Sequence, residues 1–201
     1  MTTIHRPAVS HRIHIATDQA RPISGFATRA LAVLRIAFGL TFLWAFFDKL
    51  LALGYSTGAI TNAAGDRTGI DFFAKDGAWL NGGSPTEGFL SHTSADNPLH
   101  GFWGSIAGDA WADWLFMAGL LGVGLALTLG IGMRLAGALG GLLYLFMWVA
   151  SWPLDSNPVI DEHLTGFIVL GVLALTYAGD TWGLGKIWAR TPLVKRYPVL
   201  R

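Results

Sequence analysis

The stretch Arg29–Leu53, RALAVLRIAFGLTFLWAFFDKLLAL, constrains this chain most. It is long and apolar enough to cross a bilayer, whose hydrocarbon core of about 30 Å takes about 20 helical residues. Yet it carries Arg35 near its start and Asp48 and Lys49 near its far end. Only twelve uncharged residues separate Arg35 from Asp48, or about 18 Å of helix at about 1.5 Å per residue. At least one of these charges therefore sits at or inside the hydrocarbon edge, unless it snorkels or finds a partner. Ionisable groups so placed are functional candidates. At helical spacing Arg35, Gly39, Phe42, Phe46 and Lys49 share one face, and Asp48 points elsewhere.

Composition supports the membrane reading. Charged residues make up 13% of the chain, against about 25% in a soluble domain. The net charge of +1 names no acidic partner such as nucleic acid. Cysteine is absent. That excludes disulfides, thiolate nucleophiles, Cys-ligated zinc and iron–sulfur clusters within this chain. Of the six histidines only His163 abuts an apolar segment, so haem held between two membrane histidines is excluded too.

Four apolar runs give an all-α fold, a four-transmembrane-helix bundle with spans at about 29–53, 113–133, 135–154 and 160–179. Residues 1–28 are polar and basic and read as a mostly disordered cytoplasmic tail. No short apolar core follows a cleavable pattern there. Residues 54–112 are acidic and rich in turn formers such as Asn81-Gly82-Gly83-Ser84-Pro85, and read as an extracytoplasmic insert with one or two short helices. Spans two and three form an antiparallel hairpin. Their small residues, Gly137 with Gly141 and Ala118 with Gly122, read as packing surfaces. Residues 180–201 form a second basic tail, interfacial by its Trp182, Leu184, Ile187 and Trp188. Lysine and arginine concentrate in the two tails and at Arg134, while the insert and the DSNPVIDE loop (155–162) are acidic. The positive-inside rule then places both termini in the cytoplasm of a cell-membrane protein. Trp111, Trp114, Trp148 and Trp152 form an outer aromatic belt.

Each candidate residue has two readings. Arg35 either binds a carboxylate, an oxyanion or a quinone carbonyl, or snorkels to the inner surface. Asp48 and Lys49 form an interfacial helix end, or Lys49 faces the bundle and meets a carboxylate of the outer loop. Asn157, Asp161, Glu162 and His163 cluster at the start of span four. A histidine beside carboxylates at a membrane–water boundary exchanges protons near neutral pH. Alternatively Asp161 and Glu162 only complement the helix dipole. Trp44, Trp148 and Trp152, with Phe42, Phe46 and Phe47, either line a slot for a ring-bearing lipid or are belt and core. His92, Asp96 and His100 are spaced as on a helix face, but Pro98 breaks any helix between them, which argues against a metal site.

LRIAFGLTFLWAFFDKL, Leu34–Leu50, resembles the first helix of the DoxX/DoxD-like membrane proteins in Arg35, Gly39, Phe42 and Lys49. NPVIDEHLTGFIVLGVLAL, from Asn157, is similar to that family's last helix, and GDTWGLGKIW to its tail. The family includes the small subunit of a thiosulfate:quinone oxidoreductase. The resemblance implies a quinone-linked role with quinone as substrate, often beside a second oxidoreductase subunit. His163 and Asp161 would carry the proton chemistry, and Arg35, Lys49, Trp44, Trp148, Trp152 and Asn157 would bind. This chain has no redox group of its own, so substrate, quinone or partner must carry the electrons, and without Cys it performs no persulfide chemistry. The alternative is a non-catalytic membrane anchor or assembly partner for an extracytoplasmic enzyme, docking through the insert. Transport is weaker, because no span is broken by proline at its middle and no inverted repeat shows.

Overall fold

The structure is a computed structural model that describes residues 24–155 and 157–201. The expected basic tail therefore lies mostly outside the described residues. The first helix, α1 (Gly25–Leu51), starts four residues before the expected Arg29. Ser24 explains the early start: its Oγ accepts the Ala27 N–H at 3.3 Å and caps the first turn. At its other end the Ala52 and Leu53 amides and the Thr57 hydroxyl all donate to the Asp48 carbonyl.

The segment between α1 and the next long helix is ordered, and it corrects the all-α expectation. A two-stranded hairpin, β1 (Ala59–Thr61) and β2 (Arg67–Ile70), pairs Ala59 with Ile70. Asn62 shapes its turn, its side-chain carbonyl accepting the Ala64 and Asp66 amides at 3.0 and 2.9 Å. Strands of three and four residues, nearly all exposed, are too short to show an alternating pattern. Two short helices follow, α2 (Glu87–Leu90) and α3 (His100–Ile106).

Three further apolar helices complete the bundle: α4 (Ala110–Leu129), α5 (Met133–Ala150) and α6 (Glu162–Leu175). Each boundary departs from expectation for a local reason. The chain turns at Gly130, in the left-handed conformation at φ 73°, so α4 stops short of 133. Pro153 keeps α5 from reaching 154. Asp161 caps α6, which ends at Leu175 before a 3-10 turn at Ala178–Asp180. α1, α4 and α5 are long and apolar enough to cross a membrane. This is a mostly helical membrane protein with bilayer contact. α6 is apolar but has 14 residues, about 21 Å, against a hydrocarbon core of about 30 Å. The tail adds α7 (Gly185–Trp188) and α8 (Pro192–Arg196).

α1 packs on α4, α4 on α5, and α5 on α6. The four meet at Gly140. A Cβ there would lie 2.8 Å from Val123, 2.9 Å from Leu170 and 3.6 Å from Phe42. Gly39 plays the same part between α1 and α4, since a Cβ would lie 2.7 Å from the Thr128 amide nitrogen. Gly137 and Gly141 do face α6, but Gly122 meets nothing within 4 Å and is not a packing residue. Side chains such as Leu40, Leu115, Leu139, Phe146 and Ile168 stay exposed on the outside of the bundle, where lipid would lie.

The start of α1, the α4–α5 turn and the C-terminal segment share one end of the bundle, the tail end. At the other end the 52–109 segment is clamped to three helices by buried polar side chains. Asp48 of α1 takes the Tyr55 and Ser56 amides at 3.0 and 2.7 Å, and also the Ser56 hydroxyl. Asp113 of α4 takes the Ser84 hydroxyl, the Thr86 amide and the Thr86 hydroxyl at 2.9, 2.9 and 2.6 Å. Asn97 reaches from the segment to α5, donating to the carbonyls of Val149, Ala150 and Trp152 at 2.8, 3.2 and 2.9 Å. Asp48 is 1% exposed, which replaces the expected interfacial helix end with an internal anchor. Removing Asn97 strands buried carbonyls. Asn97→Ala should cost about 2 kcal/mol and speed limited proteolysis within 52–109 several-fold, with the long helices intact.

Candidate functional site

Asp161 and His163 form the one carboxylate–imidazole pair among the described residues, with Oδ2 and Nδ1 at 2.7 Å. The sequence brings them together at the start of α6, where an N-cap residue and the second helical position lie two apart. Asp161 Oδ1 accepts the Leu164 amide at 2.9 Å, as capping requires. An ionised carboxylate only accepts, so the His163 Nδ1 carries the hydrogen and Nε2 is left to exchange one. The two side chains are 6% and 12% exposed. Burial pushes the Asp161 carboxyl up, but the Leu164 N–H and the His163 ring outweigh it and hold the group below the ordinary carboxylate range. Glu162 has a ligand atom within 4.8 Å of the pair, but both Asp161 oxygens are already committed to capping and to His163.

Tyr144 of α5 completes the surroundings. Its ring stands edge-on to His163 at 6.1 Å between centroids, and to Phe42 of α1 at 5.3 Å. A Cβ on Gly166 would lie 2.7 Å from that ring, so glycine makes its place. Sequence reasoning missed Tyr144. The available signal was the one tyrosine inside the apolar run 135–154.

An apolar groove of about 260 Å³ is lined by Asn97, Pro98, Leu99, Trp148, Val149 and Trp152. Trp148 links groove and pair. Its ring lines the groove, and its indole N–H donates at 2.9 Å to the Val159 carbonyl, two residues before Asp161. Asn157 shapes the same loop, its side-chain carbonyl accepting the Val159 and Ile160 amides at 2.9 and 3.0 Å. The expected aromatic slot therefore divides. Trp148 and Trp152 line a groove, Phe42 and Phe46 are core, and Trp44 of α1 packs edge-on to Tyr55 at 5.0 Å.

Arg35 and Lys49 lie elsewhere. Arg35 is fully buried, and its guanidinium is bound by backbone carbonyls alone. One terminal nitrogen donates to Leu127 and, at 2.9 Å, to Thr128 in the last turn of α4. The other donates to Thr181 and Trp182 at 3.4 and 3.0 Å. These carbonyls include the orphaned, partly negative C-terminus of α4. Lys49 donates at 3.0 Å to the Ser56 hydroxyl, which itself donates to Asp48, and lies over the Phe116 ring at 5.9 Å. It does not meet the loop before α6, because the 52–109 segment offers a nearer acceptor. The Asp161–His163 pair and the two α1 cations are thus three separate places, not one polar site.

The chain matches no family model, no curated protein and no solved structure.

Two outcomes follow from this geometry. Arg35→Ala leaves the carbonyls of two segments unpaired and should destabilise the protein by about 3 kcal/mol in thermal unfolding in detergent. Arg35→Lys should recover only part of this, because an ammonium cannot bridge both pairs of carbonyls. The depressed Asp161 carboxyl contributes stability that is complete above the ordinary value of about 4 and is lost as pH falls through the lower folded value. Asp161→Asn should therefore be less stable at pH 7 but lose less than wild type on acidification below about pH 4.

Proposed function

We propose that this chain is a quinone-interacting subunit of a membrane oxidoreductase, of the DoxX/DoxD-like kind that Leu34–Leu50 resembles. The observation that carries the reading is the Asp161–His163 pair, largely buried and held at 2.7 Å where α6 begins. Reduction of a quinone takes up protons with its electrons, so a site for it needs an apolar slot and a proton donor. The groove at Trp148 and Trp152 serves as the slot for the ring. His163 Nε2 passes the proton, while Asp161 fixes the tautomer and stabilises the imidazolium, the role of a carboxylate behind a catalytic histidine. Electrons come from a second subunit. Arg35 and Lys49 are positioning residues here and do not touch the quinone.

In this reading all four apolar helices lie in the cell membrane, with the short α6 extended by the Ala178–Asp180 turn. Arg134 and the cations of 181–201 share the tail end, which puts that end in the cytoplasm. The clamped 52–109 segment, with the Asp161–His163 pair, then faces outward. A second reading has its own observation. The three clamps hold the 52–109 segment in place while leaving its Phe72 and Leu80, and Trp111 and Trp114 at the adjoining start of α4, more than half exposed, at 62, 60, 57 and 66%. Such a platform suits an anchor that docks an outer enzyme.

Titrating the purified chain with decylubiquinone, followed by tryptophan fluorescence, separates the two. The quinone reading expects saturable quenching, weakened about tenfold by Trp148→Ala, a loss of roughly 1.4 kcal/mol. His163→Ala should keep binding yet abolish proton uptake on quinone reduction in reconstituted membranes. Absence of saturable quenching, together with a stoichiometric partner that is lost on Asp113→Ala, would replace it with the anchor reading.

A further inference from the structure

The tail end carries a concentration of charge that the protein itself does not neutralise. Between Thr181 and Arg201 the sequence holds Lys186, Arg190, Lys195, Arg196 and Arg201, and no acidic residue. The nearest carboxylate, Asp180, is taken by Arg201 at 2.9 Å. Lys186, Arg190, Lys195 and Arg196 are all exposed, and none of them forms an ion pair among the described residues.

These cations sit on a plate fixed to the bundle. The Leu184 amide donates to the Leu129 carbonyl at the end of α4 at 2.8 Å. The Trp188 indole donates to Leu200 at 2.6 Å, and the Arg134 amide of α5 to the Arg201 carbonyl at 3.0 Å. Val194 is buried beneath. The same segment keeps large apolar groups exposed among its charges, with Trp182 61%, Ile187 65% and Val199 66% exposed. The plate lies where α4 and α5 turn, at the level where the apolar helices end. Apolar groups that enter the headgroup boundary, interleaved with unneutralised cations, suit a negatively charged lipid surface.

We propose that the 181–201 plate is a binding surface for anionic phospholipid headgroups. Lys186, Arg190, Lys195 and Arg196 supply the charge, and Trp182, Ile187 and Val199 enter the acyl boundary. The recognised chemistry is a phosphodiester anion presented on a lipid surface. The inference does not depend on the quinone reading, because no residue of the plate belongs to the Asp161–His163 site.

The test titrates the detergent-solubilised full chain with dioleoyl-phosphatidylglycerol, with dioleoyl-phosphatidylcholine and with inorganic phosphate, and reads bound molecules by native mass spectrometry. Phosphatidylglycerol should be retained about tenfold over phosphatidylcholine at low salt, with the preference shrinking as salt screens the cations. The fourfold variant K186Q/R190Q/K195Q/R196Q should lose the preference while keeping the wild-type melting temperature without lipid. Should that variant fail to fold, K186Q/R190Q alone should at least halve the preference. Equal retention of the two lipids, a preference surviving in the variants, or binding of free phosphate as tight as that of the lipid would each overturn the proposal.

Discussion

The arrangement of the bundle depends on how one buried charge is compensated. Arg35 is a guanidinium without a carboxylate, in a place where a bare charge would be costly. It is compensated by dipoles: the last carbonyls of α4 on one side and those of Thr181 and Trp182 on the other. One side chain thus fixes α1, α4 and the start of the tail in a single relation. The neighbouring glycines make this possible. Gly39, one turn on, lets α1 come close to Thr128, while a Cβ on Gly130 or on Gly183 would lie 3.1 Å from a guanidinium nitrogen. With the tail so fixed, the 181–201 plate has a defined face.

The opposite end uses the complementary chemistry. There the carboxylates of Asp48 and Asp113 collect amide and hydroxyl hydrogens from loops, and the amide of Asn97 supplies hydrogens to the end of α5. Lys49 joins this network through Ser56. The consequence for function is a narrowing. Most polar side chains that stand out against the apolar background are engaged in holding segments together. His163 differs, because capping and pairing occupy Asp161 and leave the far ring nitrogen unspent.

The four apolar helices and the shared face of Arg35, Gly39, Phe42 and Phe46 were legible in the sequence, because hydrophobic run length and helical period report directly on them. The clustering of Asp161 and His163 at the start of α6 was legible too, being local, though not which carboxylate His163 takes. What the sequence hid was long-range or weakly patterned. The partner of Arg35 is backbone, and carbonyls leave no trace in residue identity. Asp48 read as an ordinary helix-end charge and Asp113 drew no reading, since their partners Ser56, Ser84 and Thr86 declare themselves only once the loops fold back. The hairpin at 59–70 buries almost nothing and so carries no periodic signal. Helix ends shifted by several residues wherever a cap, Ser24 or Gly130, outweighed hydrophobicity. Arg35 and Lys49, both expected to bind a ligand, instead have structural partners in this fold.

Arg35 joins α1, the end of α4 and the start of the tail through backbone carbonyls. Hydrogen–deuterium exchange of the Arg35→Lys variant in detergent tests this joining most directly. Exchange should rise together in the last turn of α4 and in 181–184, including the Leu184 amide that is bound to Leu129. The 52–109 segment should keep its wild-type protection. Unchanged exchange at both tail-end segments, or a rise confined to the clamped 52–109 segment, would contradict the account.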